Sequence, residues 1–196
     1  MGGVTLRPAA PADAADLAIL DNVAGHGISQ WFWQREVVKG VADDAYDFGR
    51  SRFADENPVF GWKNARVVLE NGMILGAACS YRMEPMPDGE KASYPEEFLP
   101  VFDLFQMVVG DWVVDSLAVY QAARSKGVGA LLLDDCFSRA RAAGVKRVSL
   151  VAEDANESAL KLYESRGMSE QARLPYLSFG FPSDSRHWLL LTATVE

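Results

Sequence analysis

The sequence predicts an α/β fold in which helices cover both faces of a mixed β-sheet. Along the 196-residue chain, β-rich apolar segments alternate with segments whose apolar residues recur at helical spacing. The run ARVVLENGMILGAACSYRM places Asn71-Gly72 between two β-rich stretches, which is typical of a β-hairpin. No internal repeat, low-complexity tract or linker interrupts this pattern, so we expect one domain over residues 1–196.

The first half of the chain is expected to contribute a strand and two helical regions before the hairpin. VTLRPA at residues 4–9 has the pattern of a short strand. Pro11-Ala12-Asp13 then precedes ADLAILDNVAG, whose apolar spacing predicts a helix that stops at Gly25. A second helical region, rich in aromatic residues, is expected from Ser29 to Ala54.

Beyond the hairpin, residues 84–111 are expected to form an inserted loop and helix, with Pro100 in the first turn of that helix or at a kink. This interval is a candidate lid or dimer surface, and ordinary core packing of its phenylalanines is the alternative. Strands and helices then alternate in the segments GDWVVDSLAV, GVGALLLDDCFSRARAAG, KRVSLVAE, NESALKLYESRG and HWLLLTATVE. The predicted order is β-α-α-β-β-α-β-α-β-α-β.

Composition and charge exclude several classes of function. The chain is 49% hydrophobic and 23% charged, which is typical of a soluble globular protein. A net charge of −8 argues against nucleic-acid binding, which needs clustered Lys and Arg. No run approaches the roughly 20 apolar residues of a membrane span, and no secretion signal is recognisable, so we expect a cytoplasmic protein without membrane contact.

The cysteines and histidines give no metal-site pattern. Cys79 and Cys136 both lie in apolar surroundings, so two buried free thiols are expected rather than a disulfide. Two cysteines and two histidines form no cluster with metal-ligand spacing. We therefore expect no metal ion.

An anion-binding pattern lies at Arg124-Ser125-Lys126-Gly127-Val128-Gly129, between the end of a strand near Val119 and the start of a helix. The first turn of a helix presents unpaired N–H groups and a partial positive charge, and glycines allow close approach of a ligand. Glycines that merely serve a tight turn are the alternative. The spacing fits neither a P-loop, in which the lysine follows the glycine, nor a dinucleotide fingerprint, whose third glycine position holds Leu132.

Two segments resemble the GNAT superfamily of acyl-CoA N-acyltransferases. The run from Val119 through Arg124 to Ala130 is similar to its Arg/Gln-X-X-Gly-X-Gly/Ala signature, with Gln121 where proline is usual. Asn156 to Met168 is similar to its Asn-X-X-Ala-X-X-Leu-Tyr-X-X-X-Gly-Phe segment, with Met168 replacing Phe. The resemblance implies a GNAT-like, mostly antiparallel sheet and acetyl-CoA (coenzyme A) as co-substrate.

The resemblance also assigns cofactor contacts. The loop and helix start would hold the coenzyme A pyrophosphate through Arg124, Ser125, Lys126, Gly127, Val128, Gly129 and Ala130. The backbone of Leu117, Ala118 and Val119 would pair with the pantetheine arm.

Asn156, Ala159 and Tyr163 have the i, i+3, i+7 spacing of one helix face. By resemblance, Asn156 and Ala159 would lie at the cofactor, and Tyr163 would protonate or hydrogen-bond the departing thiolate. The alternatives are a helix N-cap for Asn156, in competition with an Asp154–Glu157 capping box, and a core position for Tyr163.

Acyl transfer to an amine needs a base, because an alkylammonium has a pKa near about 10. Asp115 is the first candidate, since alternation places it on one strand face with Leu117 and Val119. Glu84 is the second candidate, and a structural, hydrogen-bonded role is the alternative for Asp115.

The resemblance implies an acetyl-CoA-dependent N-acetyltransferase that acts on a primary amine of a small molecule or peptide. No cysteine in the motif segments suggests an acyl-enzyme, so direct attack in a ternary complex is expected. A non-catalytic acyl-CoA-binding regulatory module is the alternative. His26, in the break Gly25–Ile28, is a candidate acceptor contact, and a homodimer is a candidate assembly.

Overall fold

The computed structural model describes residues 3–56, 61–87 and 89–195, so the predicted domain 1–196 and interval 84–111 include residues outside the described ones. None of the described helices is long and apolar enough to cross a membrane. The elements in chain order are β1 (Thr5–Pro8), α1 (Ala14–Ala24), α2 (Ile28–Val38), α3 (Ala45–Ala54), β2 (Ala65–Glu70), β3 (Met73–Arg82), α4 (Leu99–Gln106), β4 (Trp112–Val119), α5 (Val128–Ala142), β5 (Arg147–Glu153), α6 (Glu157–Glu164), β6 (Ser169–Pro175) and β7 (His187–Thr194).

The strands form a seven-stranded sheet in the order β1-β2-β3-β4-β5-β7-β6. The pairs β1–β2, β2–β3, β5–β7 and β6–β7 are antiparallel. The pair β4–β5 is parallel, with Trp112 opposite Val148 and Val113 opposite Ser149. The predicted mixed, mostly antiparallel sheet is confirmed.

The hairpin between β2 and β3 forms where the Asn-Gly pair predicts it. Asn71 and Gly72 have φ angles of 52° and 80°, the left-handed values that a two-residue turn of this kind requires. Ala65, Val67 and Val68 of β2 are fully buried, so burial alternates only as far as Val67. A register shift between Val68 and Leu69 marks an irregularity in the pair.

The structure adds two features to the predicted order. The expected helical region from Ser29 to Ala54 is two helices, because Gly40 takes a φ of 73° after α2 and Asp44 caps α3 by accepting from the Asp47 N–H at 3.0 Å. The strand β6 has no counterpart in the prediction. Its sequence SEQARLP is mostly exposed, so pairing with β7 rather than apolar alternation defines it.

The chain divides into two compact units, of which the first comprises Met1–Tyr81 and Asp115–Asp135. Its core is built on α1, where Leu17, Ala18 and Leu20 are almost fully buried. Trp33 of α2 packs against Gly49 of α3, where a Cβ atom would lie 2.7 Å from the indole. Only a glycine therefore permits this contact.

The second unit comprises Arg82–Val114 and Cys136–Glu196. Within it, α4 buries Val101, Phe102 and Leu104, and Pro100 lies in the first turn of the helix as predicted. The Tyr94 ring lies 5.3 Å from both the Phe98 and Phe102 rings. Part of the interval 84–111 is thus core, and its role as a lid or dimer surface stays a prediction.

Both cysteines are buried and neither is in a disulfide, which confirms the expectation of two thiols: Cys79 lies in the first unit and Cys136 in the second.

Candidate functional site

The loop between β4 and α5 is exposed from Arg124 to Gly127, between the buried side chains of Ala123 and Val128. Ser125 and Gly127 have φ angles of 61° and 81°. A Cβ atom at Gly127 would meet no other atom within 4 Å, so the backbone conformation, not crowding, requires glycine there. The Gly127 carbonyl accepts from the Leu131 N–H at 3.0 Å, which starts the helix directly after the loop.

The charges of this loop favour an anionic ligand. The Arg124 Nε donates to the Val119 carbonyl at 3.3 Å, which fixes the side chain beside the end of β4. Lys126 is exposed, and its ammonium has no partner among the described residues. These two cations precede a 15-residue helix, and the first turn of a helix has N–H groups without intrahelical partners. A pyrophosphate at this loop stays a prediction.

The end of β4 is held closely against β3. The Tyr120 N–H donates to the Leu75 carbonyl at 2.9 Å. A Cβ atom at Gly76 would lie 2.7 Å from the Ala118 carbonyl oxygen, so glycine is required for this approach. Ala118 is buried, whereas Leu117 and Val119 keep intermediate exposure. The backbone that precedes the loop is therefore fixed in position.

Asp115 lies two residues before Leu117 on β4 and keeps intermediate exposure. Loss of hydration at its carboxyl, together with the nearby negative charge of Asp21, raises the pKa of Asp115 to about 7, against a lowering by the Tyr81 hydrogen bond. The Tyr81 hydroxyl donates to Asp115 Oδ1 at 3.3 Å. Asp115 can thus exchange a proton near neutral pH, as a general base must.

Asp21 on α1 is a neighbour that the sequence analysis missed. Burial raises the pKa of its carboxyl, opposed by hydrogen bonds from Ser29 and Ser116 and by the positive charge of Arg52. The Ser29 Oγ donates to Asp21 Oδ2 at 2.7 Å. A signal was present, because Asp21 follows the buried Leu17 by one helical turn and so interrupts the apolar spacing of α1.

The second candidate base, Glu84, and the candidate acceptor contact, His26, are both exposed side chains. Glu84 is exposed, belongs to the second unit and follows the end of β3, and its role as a base stays a prediction. His26 is exposed and has a φ of 49° in the turn between α1 and α2, next to Gly27 with a φ of 103°. Its role as an acceptor contact stays a prediction.

In the second unit, Asn156 rather than Asp154 is the N-cap of α6, and its predicted place at the cofactor stays a prediction. Its Oδ1 accepts from the Ala159 N–H at 3.3 Å. Asp154 instead accepts from the Arg186 N–H at 2.8 Å and lies 3.0 Å from His187 Nδ1, so the Asp154–Glu157 capping box does not form. Asn156 and Ala159 are thus tied together at the start of the helix.

Tyr163 is the buried residue of α6, with 8% of its surface exposed. Desolvation, with a smaller contribution from Cys136, raises the pKa of its phenol to about 12. No described residue hydrogen-bonds the phenol oxygen. The side chain is therefore a protonated donor at neutral pH.

A recess of about 590 Å³ in the second unit contains Arg82, Asp111, Lys146 and Arg147, and none of the predicted site residues. The Arg147 Nε donates to Asp111 Oδ2 at 2.6 Å, so two of these charged side chains form an ion pair.

In the described parts of the chain, no three His, Cys, Asp or Glu side chains are grouped to hold a metal ion.

Comparisons with known proteins give a family and a fold. A family model described as the acetyltransferase (GNAT) family matches residues 25–168. An N-acetyltransferase from Staphylococcus aureus Mu50 is 22% identical, with a TM-score of 0.63 over 96% of this chain and 100% of that one. The structure of yncA from Salmonella typhimurium with its cofactor acetyl-CoA is 20% identical, with a TM-score of 0.60 over 99% and 95%.

A GNAT-family acetyltransferase from Streptococcus pneumoniae is 17% identical, with a TM-score of 0.58 over 99% of this chain and 100% of that one. At these identities the structures support the fold. The comparison with curated protein sequences gives no match.

Proposed function

The chain belongs to the GNAT family of acetyltransferases, and from that premise we propose that it is an acetyl-CoA-dependent N-acetyltransferase. Its acceptor is a primary amine of a small molecule or a peptide, which attacks directly in a ternary complex. The observation that carries this proposal is the Asp115 carboxyl on β4, which accepts a hydrogen bond from Tyr81 and whose loss of hydration raises its pKa to about 7.

Asp115 supports amine chemistry because an amine acceptor must lose protons to react. An alkylammonium with a pKa near about 10 is mostly charged at neutral pH. A carboxylate with an ordinary pKa near about 4 is a weak base towards it, and a carboxyl that titrates near neutrality is better matched to the task. The proton from the attacking nitrogen is accepted by an Asp115 carboxylate oxygen, directly or through one water.

The loop and the strand supply the binding residues. Arg124, Lys126 and the backbone from Ser125 to Ala130 hold the pyrophosphate of coenzyme A, and the backbone of Leu117–Val119 holds the pantetheine arm. Support comes from the exposed cations, the positive φ of Gly127 and the free N–H groups at the start of α5. When bound, acetyl-CoA supplies an activated thioester.

Tyr163 and Asn156 have different roles in this proposal. The Tyr163 phenol, with its pKa raised to about 12, keeps its proton and donates a hydrogen bond to the departing sulfur. A thiol titrates near about 8.5, so full transfer of the phenol proton to a thiolate is unfavourable. Asn156 acts through the cap of α6, which sets where that helix begins.

A non-catalytic acyl-CoA-binding module remains the second candidate function, and turnover separates the two. We expect wild-type protein to release free thiol from acetyl-CoA only in the presence of a suitable amine from a panel of small amines and peptides. Asp115→Asn should lower kcat/KM by about 100- to 10,000-fold, because the base is lost. Glu84→Gln, the change at the other candidate base, should leave the rate near that of the wild type.

Two results would count against the proposal. A high rate in Asp115→Asn with a low rate in Glu84→Gln would move the base to Glu84. Tight acetyl-CoA binding without amine-dependent thiol release for any amine would favour the non-catalytic module.

A further inference from the structure

The recess of about 590 Å³ in the second unit lies where several strands begin or end. It is lined by Arg82 at the end of β3, Arg147 at the start of β5 and Thr194 at the end of β7, and by the residues just before β4. Because β4 and β5 are parallel and β7 is antiparallel to β5, these positions meet at one edge of the sheet. The recess has the volume of a small-molecule pocket.

The side chains that line the recess are mainly cationic. Arg82, Lys146 and Arg147 face a single carboxylate, Asp111, among the lining residues. Arg82 and Lys146 are exposed, and neither side chain has a hydrogen-bond or ion-pair partner in the described part of the chain. The recess therefore holds two positive charges in excess, in a chain whose net charge is −8. Because like charges repel, an anion bound between these side chains would stabilise the group.

Arg147 is held in place through one side of its guanidinium. Its Nε donates to Asp111 Oδ2 at 2.6 Å, and the Ser149 Oγ donates to the same oxygen at 2.5 Å. The Asp111 side chain is only 10% exposed, whereas the Arg147 side chain is 44% exposed. The two Nη groups of Arg147 have no partner among the described residues. The outer end of an anchored guanidinium is thus available to donate parallel hydrogen bonds to an oxyanion.

Helix α5 ends beside the recess, and the end of a helix carries a partial negative charge that disfavours an anion. Here the N–H groups of Ala143, Gly144 and Val145 donate to carbonyls of the last helical turns at 2.9, 3.0 and 2.9 Å. Gly144 takes a φ of 68°, which turns the chain so that these bonds form. Pairing of these carbonyls reduces the negative charge that the helix end presents to the recess.

We propose that this recess binds a phosphate group, either as the free ion or as part of a small molecule. Arg147 supplies the planar fork that matches a phosphate, and Arg82 and Lys146 supply further positive charge. The two excess positive charges balance a phosphate monoester, which carries about −1.5 to −2 charges at neutral pH. The site shares no residue with loop 124–127, and the inference does not rest on the proposed acetyl transfer.

The test is an NMR titration of nitrogen-15-labelled protein with glycerol 3-phosphate and, separately, with inorganic phosphate, both at constant ionic strength. Backbone amides of residues 109–111 and 144–147 should shift together and reach saturation. Signals from residues 124–130 report binding at the other loop, so the two sites are told apart. A lower Kd for glycerol 3-phosphate identifies an organic phosphate as the ligand, and an equal or lower Kd for inorganic phosphate identifies the free ion.

Sodium acetate is the comparison probe. A monoanion leaves one positive charge of the recess unbalanced, so acetate should bind at least about tenfold more weakly than either phosphate probe.

Two variants remove exposed cations that have no described partner to leave unpaired. Arg82→Gln and Lys146→Gln should each raise the Kd of the tighter phosphate probe by about 3- to 10-fold, and the double variant should raise it further. Arg186→Gln is the matched control, because Arg186 is an exposed cation of the same unit, has no described side-chain partner and does not line the recess. Its Kd should stay close to the wild-type value.

The proposal is overturned if the amides around the recess show no saturable shift, if acetate binds as tightly as phosphate, or if Arg82→Gln and Lys146→Gln bind like the wild type. An equal loss of affinity in Arg186→Gln would also overturn it, because the overall charge and not the recess would then govern binding. Failure of the proposed acetyl transfer gives a different result. In that case amine-dependent thiol release is absent while the titration of the recess is unchanged.

Discussion

At the scale of single residues, burial gives Asp115 and Tyr163 different protonation behaviour. It raises the pKa of Asp115 to about 7, where the carboxyl can exchange protons under ordinary conditions. It raises the pKa of Tyr163 to about 12, where the phenol only donates. The same physical cause, desolvation of the charged form, therefore favours a base at one position and a permanent donor at the other.

The hydrogen-bonding role of Tyr163 predicts a moderate kinetic loss. Tyr163→Phe removes one donor to a developing thiolate, an interaction of about 1.5–3 kcal/mol for a charged acceptor. We expect kcat to fall by about 10- to 150-fold in steady-state thiol-release assays. The Kd of acetyl-CoA, from calorimetry, should stay close to the wild-type value, since the charge to be stabilised develops only during reaction. An unchanged kcat would remove Tyr163 from the chemistry.

The raised pKa of Asp115 also predicts how stability depends on pH. Between about pH 4, where a free aspartate titrates, and about pH 7, the folded chain retains a proton that the unfolded chain has lost. The contribution of Asp115 to the free energy of unfolding is thus present below this window and is lost as pH rises through it.

Asp115→Asn does not titrate, so its melting temperature relative to wild type should increase from pH 5 to pH 8. Calorimetric scans of both proteins across this range measure the difference. A difference that stays constant with pH would contradict the assigned pKa.

Residue by residue, the sequence offers candidates from a pattern within one element and misses contacts between elements, and the role of each candidate stays a prediction. Alternation along β4 was enough to select Asp115 as a candidate. Asp21 and Tyr81 lie on α1 and β3, and their approach to Asp115 depends on tertiary packing that the spacing of residues does not encode. The N-cap role of Asn156 was predicted only as one alternative, because Asp154 has equally suitable spacing until its contact with His187 is known.

At the scale of elements, the segment from β4 through the exposed loop into α5 combines three requirements for anion binding. The strand end is fixed against β3 by the close approach of Ala118 to Gly76. The loop takes left-handed backbone values at Ser125 and Gly127. The helix then directs its free N–H groups towards the loop. The glycine loop and the helix start are visible in the local sequence, whereas the approach of Gly76 to Ala118 is a contact between strands that local spacing does not show.

The left-handed backbone at Gly127 predicts a loss of free energy when alanine replaces the glycine. Gly127→Ala would place an L-residue at a φ of 81°, which costs about 1–2 kcal/mol. If the loop relaxes to avoid this strain, the Kd of acetyl-CoA should rise by about 5- to 30-fold in calorimetry.

Gly144→Ala is the matched control, because Gly144 has a φ of 68° after α5 and equally open space around its Cβ. It should lower the melting temperature by a similar amount without changing acetyl-CoA binding. Equal affinities for the two variants would show that the loop does not contact the cofactor.

Elements with strong local signals were predicted, and those without them were not. The Asn71-Gly72 hairpin and the helices α1, α5 and α6 follow from turn chemistry and apolar spacing. The break between α2 and α3 depends on one left-handed glycine and one aspartate cap. The edge strand β6 is polar and is formed by pairing with β7, a long-range contact that no local pattern predicts.

At the scale of the whole molecule, the family and the net charge are both compatible with the proposed transfer of an acetyl group to an amine. The family model covers residues 25–168, which include Asp115, the loop and Tyr163. A net charge of −8 favours the approach of a cationic acceptor over long distances, an effect that salt should weaken. The identity of the acceptor has to come from experiment, because its contacts are not encoded in the two motif segments.

The most direct test of the account is to follow the acetyl group itself. Wild-type protein is incubated with acetyl-CoA labelled with carbon-13 in the acetyl group and a panel of primary amines, and the amines are analysed by mass spectrometry. We predict a labelled amide on at least one amine, with Asp115→Asn forming it far more slowly. Binding of acetyl-CoA without label in any amine, or label appearing only as free acetate, would contradict an N-acetyltransferase.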